Sequence, residues 1–435
     1  MVSPPAKAGL FDAITSGIEK LSGGAAKSET ESENKNSQEA QPDPEPTPVR
    51  EVPVPVKTVN IDAIPKTKKI ILSNFVVEFQ QRYEKKTNGF SILGFGGAGS
   101  SKSINDATLP APGTLQTITN FAYLDLVKKL KTKGYEVIEV SNLSEKSKPS
   151  YEKLTKTGTI ESGEVFNNID GESVLFSPDG MISSLPNAGC THYGSKKSMA
   201  NLSNNMRMSS TGYQTQYENE IANGEGKVPL LKVWITVGFG DASANGGNAF
   251  ISSKQNDFLG TTKTTVKNSA NANATAGMFL KAEVTRFSLA VPTEVDYKTN
   301  HGCGITLNGN PTPADGDAFI RLGDRFHYDN SNILTASSQA GSVEITDTSL
   351  GGGIGIRSVK ERVNDNKKPS TVNEQGMVLV NKGSQSSGYV SSNDLGMTSL
   401  HTVSEFATVI SSDLYATSTT SMIHKVSDAF IAKLP

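Results

Sequence analysis

Long apolar runs are missing from this chain. No window approaches the roughly 18 apolar residues that a membrane-spanning helix needs. A basic excess is missing too: the formal net charge is -2 at pH 7. Nucleic-acid binding ordinarily demands a basic face, so no nucleic-acid partner is expected. Cysteine occurs only twice, as Cys190 and Cys303. That is too few for a multi-disulfide scaffold and too few to reveal the compartment. The residues after Met1 lack the apolar core of about 7–15 residues that marks an export signal. The chain therefore reads either as cytoplasmic or as starting after a removed signal, and in the second case the periplasm or outer membrane is expected. Catalytic signatures are scarce as well, since no serine sits in a GxSxG elbow.

What is present points to an α+β fold. The reading is a mixed sheet opened by a strand–helix–strand unit, with a long β-hairpin and a β-rich, loop-rich second half. Four regions are expected: a terminal amphipathic helix (1–22), a Pro/Glu-rich linker (23–65), an α/β core with long inserts (66–291), and a β-rich region ending in a helix (292–435). In the first, Leu10, Phe11, Ile14, Ile18 and Leu21 recur at helical spacing over 9–22, giving a face for a membrane surface or a partner protein. The linker is charged, Pro-rich and too poor in large apolar residues to offset the entropy of ordering.

The core opens with the β-branched and aromatic run KIILSNFVVEF (69–79), a strand signal. A helix is expected from Leu115 to Lys133, with one apolar face, lysines crowding its last turns and Gly134 as its stop. The run YEVIEV (135–140) completes the unit. Residues 141–227 read as irregular apart from a short strand at Ser173–Phe176. The hairpin pairs Val228–Phe239 with Met278–Val291, each strand having one core-facing side. The alternating alanines between them (Ala270, Ala272, Ala274, Ala276) read as a solvent-exposed loop or an inter-subunit contact. Further short strands are expected at Ala318–Leu322, Ser342–Thr346, Gly353–Val359 and Gly376–Val380. A helix from about Ser412 to Leu434 closes the chain.

Three constellations bear on chemistry. Gly94, Gly96 and Gly99 satisfy GxGxxG, but a phosphate site needs a helix beginning at that loop. The following SKSINDATLPAPG carries two prolines, so a flexible loop without a cofactor is expected. Cys190 with His192, and His301 with Cys303, each place both side chains on one side of an extended segment. Brought together they offer two thiolates and two imidazoles, a tetrahedral zinc set. The same proximity serves a Cys190–Cys303 disulfide, and free thiols with incidental histidines remain a third reading. Asp324 and His327, in GDRFHYD, form either an acid–base pair or a solvated loop.

The order of elements resembles the curli secretion channel family (CsgG-like) and the related amino-terminal domain of TolB. The resemblance rests on KKIILSNFVVEF (68–79), LDLVKKLKTKGYEVIEV (124–140), LKVWITVGFGD (231–241), FLKAEVTRFSL (279–289) and the closing helix. It covers about half of the chain and leaves out the inserts at 141–227 and 292–400. It implies a ring-forming, non-enzymatic envelope protein. With the tethered terminal helix, it leads to the expectation of a self-associating scaffold or assembly protein that meets other envelope proteins. A structural subunit of a phage particle or surface appendage, and a zinc-binding protein, are the alternatives.

Overall fold

The computed structural model describes residues 53–88, 97–155, 159–168, 171–184, 216–246, 248–256, 262–268, 271–282, 284–290, 317–329, 332–339, 342–347, 362–364, 371–373, 376–390 and 398–435. All but Pro53 belong to one compact unit, Val54–Pro435. The fold is α+β around a mixed sheet.

The chain enters with β1 (Val56–Val59), a strand within the stretch read as linker, and continues into the 20-residue β2 (Lys69–Asn88). Then come β3 (Gly97–Thr108), α1 (Pro112–Thr132) and β4 (Glu136–Glu139). α2 (Lys148–Thr155), β5 (Glu164–Asn168), β6 (Gly171–Phe176) and α3 (Gln216–Gly224) follow. The middle holds β7 (Leu230–Asn245), β8 (Asn248–Asn256), β9 (Thr262–Asn268), β10 (Asn271–Leu280) and β11 (Arg286–Ala290). β12 (Asp317–Leu322), β13 (Phe326–His327), β14 (Leu334–Gln339) and β15 (Ser342–Asp347) come next. β16 (Arg362–Asn364), β17 (Thr371–Val372), β18 (Val378–Val390), β19 (Thr398–Val409) and α4 (Ser412–Lys433) complete the chain.

Local chemistry fixes the two long helices. Pro112 sits in the first turn of α1, where its missing N–H costs nothing. Gly134 ends that helix at φ +89, a backbone setting that disfavours side chains. At α4 the Ser411 hydroxyl accepts from the Leu414 N–H, and Asp413 lies in the first turn.

The first half of the sheet runs β1–β12–β11–β7–β2, with β4 and β6 on the far side of β2 and β5 beyond β6. The β2–β7 and β2–β4 pairs are parallel; the others are antiparallel. One face carries Phe75, Val77, Phe79, Val233, Ile235 and Phe287 against α1 and α4. The Phe79–Tyr415 and Phe287–Phe430 ring pairs, with centroids 6.2 and 5.0 Å apart, seat α4 on it. The other face is covered by α2 and α3 and by a cluster of Val76, Phe166, Leu175 and Trp234. β7 is thus buried on both sides through most of its length, where one core-facing side was expected. α2 and α3 also lie within residues read as irregular.

Beyond about residue 80 of β2 and 237 of β7, the two strands part. β2 pairs with β3, β3 in parallel with β19, and β19 with β18. β7 pairs with β10, and β10 with β14. The two runs read as a hairpin do pair antiparallel, but the second arm is interrupted. Its described residues form not one strand but the end of β10 and all of β11, each antiparallel to a different part of β7. A bulge lies in β10 between Ala276 and Phe279, and the chain leaves the ladder between Leu280 and Arg286. The alanine alternation is likewise corrected. Ala272, Ala274 and Ala276 are inside β10 and almost wholly buried, so they are neither a loop nor a surface contact. Among the described residues no helix is long and apolar enough to cross a membrane, which says nothing of strands.

Candidate functional site

The layer β7–β10–β14 faces the layer β2–β3–β19–β18 across very small side chains. Ala242, Ala244, Ala272, Ala274 and Ala276 point inward from the first, and Ser101, Ser103 and Asn105 from the second. With so little bulk between them, side chains reach the opposite backbone. Ser103 Oγ donates to the Asn273 carbonyl at 3.2 Å, and Asn105 Nδ2 to the Thr275 and Asp241 carbonyls at 3.0 and 3.3 Å. Thr408 Oγ1 donates to Asn105 Oδ1 at 3.0 Å, which fixes the amide's orientation. A Cβ on Gly240 would lie 2.0 Å from the Thr275 carbonyl oxygen, so only glycine fits there.

Because side chains alternate along a strand, the inward alanines place Asp241, Ser243, Asn245, Asn271, Asn273 and Thr275 on the outer face. The ladder sets Asp241, Thr275 and Thr335 side by side, and Ser243, Asn273 and Ser337 beside them. A cleft of about 310 Å³ lies over this face, floored by Gly240, Thr275 and Gly277 and walled by Phe279, Arg325, His327 and Ile333. Arg325 Nη2 donates to Asp241 Oδ2 at 2.8 Å, and its guanidinium lies 4.7 Å from the Phe279 ring centre. The His327 ring tilts against Phe279 with centroids 5.3 Å apart. Burial lowers the His327 pKa, the Arg325 charge lowers it further, and Asp324 opposes them. The imidazole is therefore neutral at pH 7. Its Nδ1 has no hydrogen-bond partner among the described residues. The cleft offers acceptors, donors and an apolar wall, which is equipment for binding.

Several other ionisable groups are engaged in structural contacts. Glu78 accepts from Ser173 Oγ at 2.6 Å, Thr236 Oγ1 at 2.8 Å and Trp234 Nε1 at 3.0 Å, deep on the sheet. Glu218 and Lys232 form a buried ion pair at 2.6 Å. Lys129 bridges Asp125 and Asp428 at 3.0 and 2.9 Å, tying α1 to α4 beside His424. His401 meets Ser100 Oγ at 2.6 Å. Burial, then Lys86 and Lys102, lower its pKa.

Cys190, His192, His301 and Cys303 lie outside the described residues, as do Gly94, Gly96, residues 1–52 and the 353–359 strand expectation. Among the described residues no group of three or more His, Cys, Asp and Glu is placed to hold a metal. Gly99 belongs to β3, so this end of the glycine run is strand where a flexible loop was expected. Of the Asp324–His327 pair, His327 reaches the cleft, while Asp324 accepts from the Arg325 N–H at 2.7 Å. Sequence reasoning missed Asp241, Asn273 and Arg325. The one signal for the first two was the alternation in DASAN (241–245) and NANAT (271–275). Compared with protein-family models, curated proteins and solved structures, the chain matches none.

Proposed function

We propose that this protein is a non-enzymatic, self-associating scaffold or assembly protein of the bacterial cell envelope. The observation that carries the reading is the double β-layer. β2 and β7, at 20 and 16 residues, run past the helix-covered core into two layers joined by side-chain-to-backbone bonds. Such a body is stiff, and stiffness lowers the ordering cost of building an interface. The described charges add support, because Glu78, Glu218 and Asp125 serve internal contacts. On this reading residues 9–22, tethered by the Pro/Glu-rich linker, meet a membrane surface or another envelope protein. The resemblance to curli-type secretion channels fits a ring.

A second reading, a structural subunit of a phage particle or surface appendage, draws on the same layers. A sheet face rich in Ser, Thr and Asn suits repetitive stacking. Negative-stain electron microscopy of the purified full-length protein separates the two. Closed rings support the envelope scaffold, and extended fibres or shells support the appendage subunit. Monodisperse single particles at every concentration contradict both.

A further inference from the structure

The two outer faces of the double layer are built from different chemistry. The face of β2 and β3 is stitched by ion pairs: Arg82 Nε to Asp106 at 3.4 Å and Lys102 Nζ to Glu84 at 2.8 Å. That is the usual dress of a solvated sheet face, where opposite charges stand across strands. The face of β7, β10 and β14 has Asp241, Ser243, Asn273, Thr275, Thr335 and Ser337 in adjoining register. One of these six is charged, and Arg325 neutralises it at 2.8 Å.

We infer that this face and its cleft bind a neutral carbohydrate. A sugar ring carries several hydroxyls, each a donor and an acceptor at once, and has no charge. Its match is a set of close-spaced groups that supply both roles without a net charge. Asp241 accepts, Arg325 donates, and Asn273, Ser243 and Thr275 do both. Neighbouring strands lie about 4.8 Å apart and alternate residues about 6.8 Å, so these groups meet hydroxyls along one or two sugar units. The apolar CH edge of a sugar needs a dry wall. Ile333 supplies it at the rim and is 37% exposed. Gly277 lets Ile333 come that close, since a Cβ there would meet its side chain at 3.2 Å. The cleft, about 310 Å³, stands at the small end of the roughly 300–1,000 Å³ of ligand pockets. A free anion suits the site less well, because it would approach the Asp241 carboxylate as closely as the guanidinium.

The test is titration of the full-length protein with four neutral probes, chitotetraose, cellotetraose, maltotetraose and mannotetraose, read by calorimetry and by saturation-transfer NMR. The expected result is saturable binding to at least one probe. That binding should weaken roughly tenfold in Asn273→Ala, as for one lost hydrogen-bonding group. It should be unchanged in Glu84→Gln on the opposite face and hold when salt is raised several-fold. Thr275→Val, which keeps shape and strand preference, serves as a second variant and should weaken binding in the same direction. Absence of saturation with every probe overturns the inference. So does equal binding by Asn273→Ala and Thr275→Val, or loss of binding with salt. A change in sedimentation of Asn273→Ala without any effect on the probes also overturns it, and makes the face a contact between copies.

Discussion

A carboxylate inside a sheet is costly unless its oxygens are engaged. At Glu78 three donors from the two flanking strands, β6 and β7, converge on it. Removing the acceptor strands those donors, so Glu78→Ala should lower stability by about 3 kcal/mol, read by urea unfolding. Tyr415 is the reverse case. Its ring is fully buried, its hydroxyl finds no partner among the described residues, and burial pushes its pKa up so that it stays protonated. Tyr415→Phe keeps the packing on Phe79 and deletes the orphan. It should raise stability by about 1 kcal/mol, and a loss of that size would show that the hydroxyl is bonded. For pH, His327 and His401 both titrate below the ordinary value of 6.5 in the folded protein. The unfolded chain then takes protons first as pH falls. Stability present above pH 6.5 should decline below it until the lower folded values are passed. His327→Gln should flatten the dependence of Tm on pH over that window, with the His401 part remaining. The residues of the cleft were poorly legible in sequence for a plain reason: Asp241 and Arg325 meet across 84 positions, and only strand register joins them.

At the scale of elements, legibility followed the strength of periodicity. The opening strand, the helix α1 and the closing helix α4 were readable because their apolar residues recur at spacings of 2 or 3.6 over many residues. The apolar residues expected to pack the closing helix are buried at Tyr415, Met422, Ile423, Val426, Phe430 and Leu434, and Leu414 is half-buried. α2 and α3 were unreadable, being 8 and 9 residues long and polar on most positions. β10 was misread because alanine is depleted in strands. Here alanine is required by the narrow gap between the layers, which is set by the Ser103 and Asn105 bonds to the opposite backbone. That account makes Ala274 a sensitive position. Ala274→Leu should destabilise by about 1–3 kcal/mol through overpacking, whereas outward Thr335→Leu should change stability by less than about 0.5 kcal/mol. Gly240→Val should be worse than either, because its side chain collides with the Thr275 carbonyl and breaks the β7–β10 ladder. Thermal unfolding of the three variants together orders them.

At the scale of the molecule, the unit Val54–Pro435 joins the stretches 66–291 and 292–435 through one sheet. β12 lies between β1 and β11, and the closing helix α4 packs beside α1. The resulting body has a helix-covered half and an all-β half. Self-association is the central claim, and it is a property of concentration. The most direct measurement is sedimentation velocity of the full-length protein over a hundredfold range of concentration. The account predicts a discrete species several times the 46.2 kDa of one chain, growing at the expense of monomer as concentration rises. A single monomeric boundary throughout would contradict it.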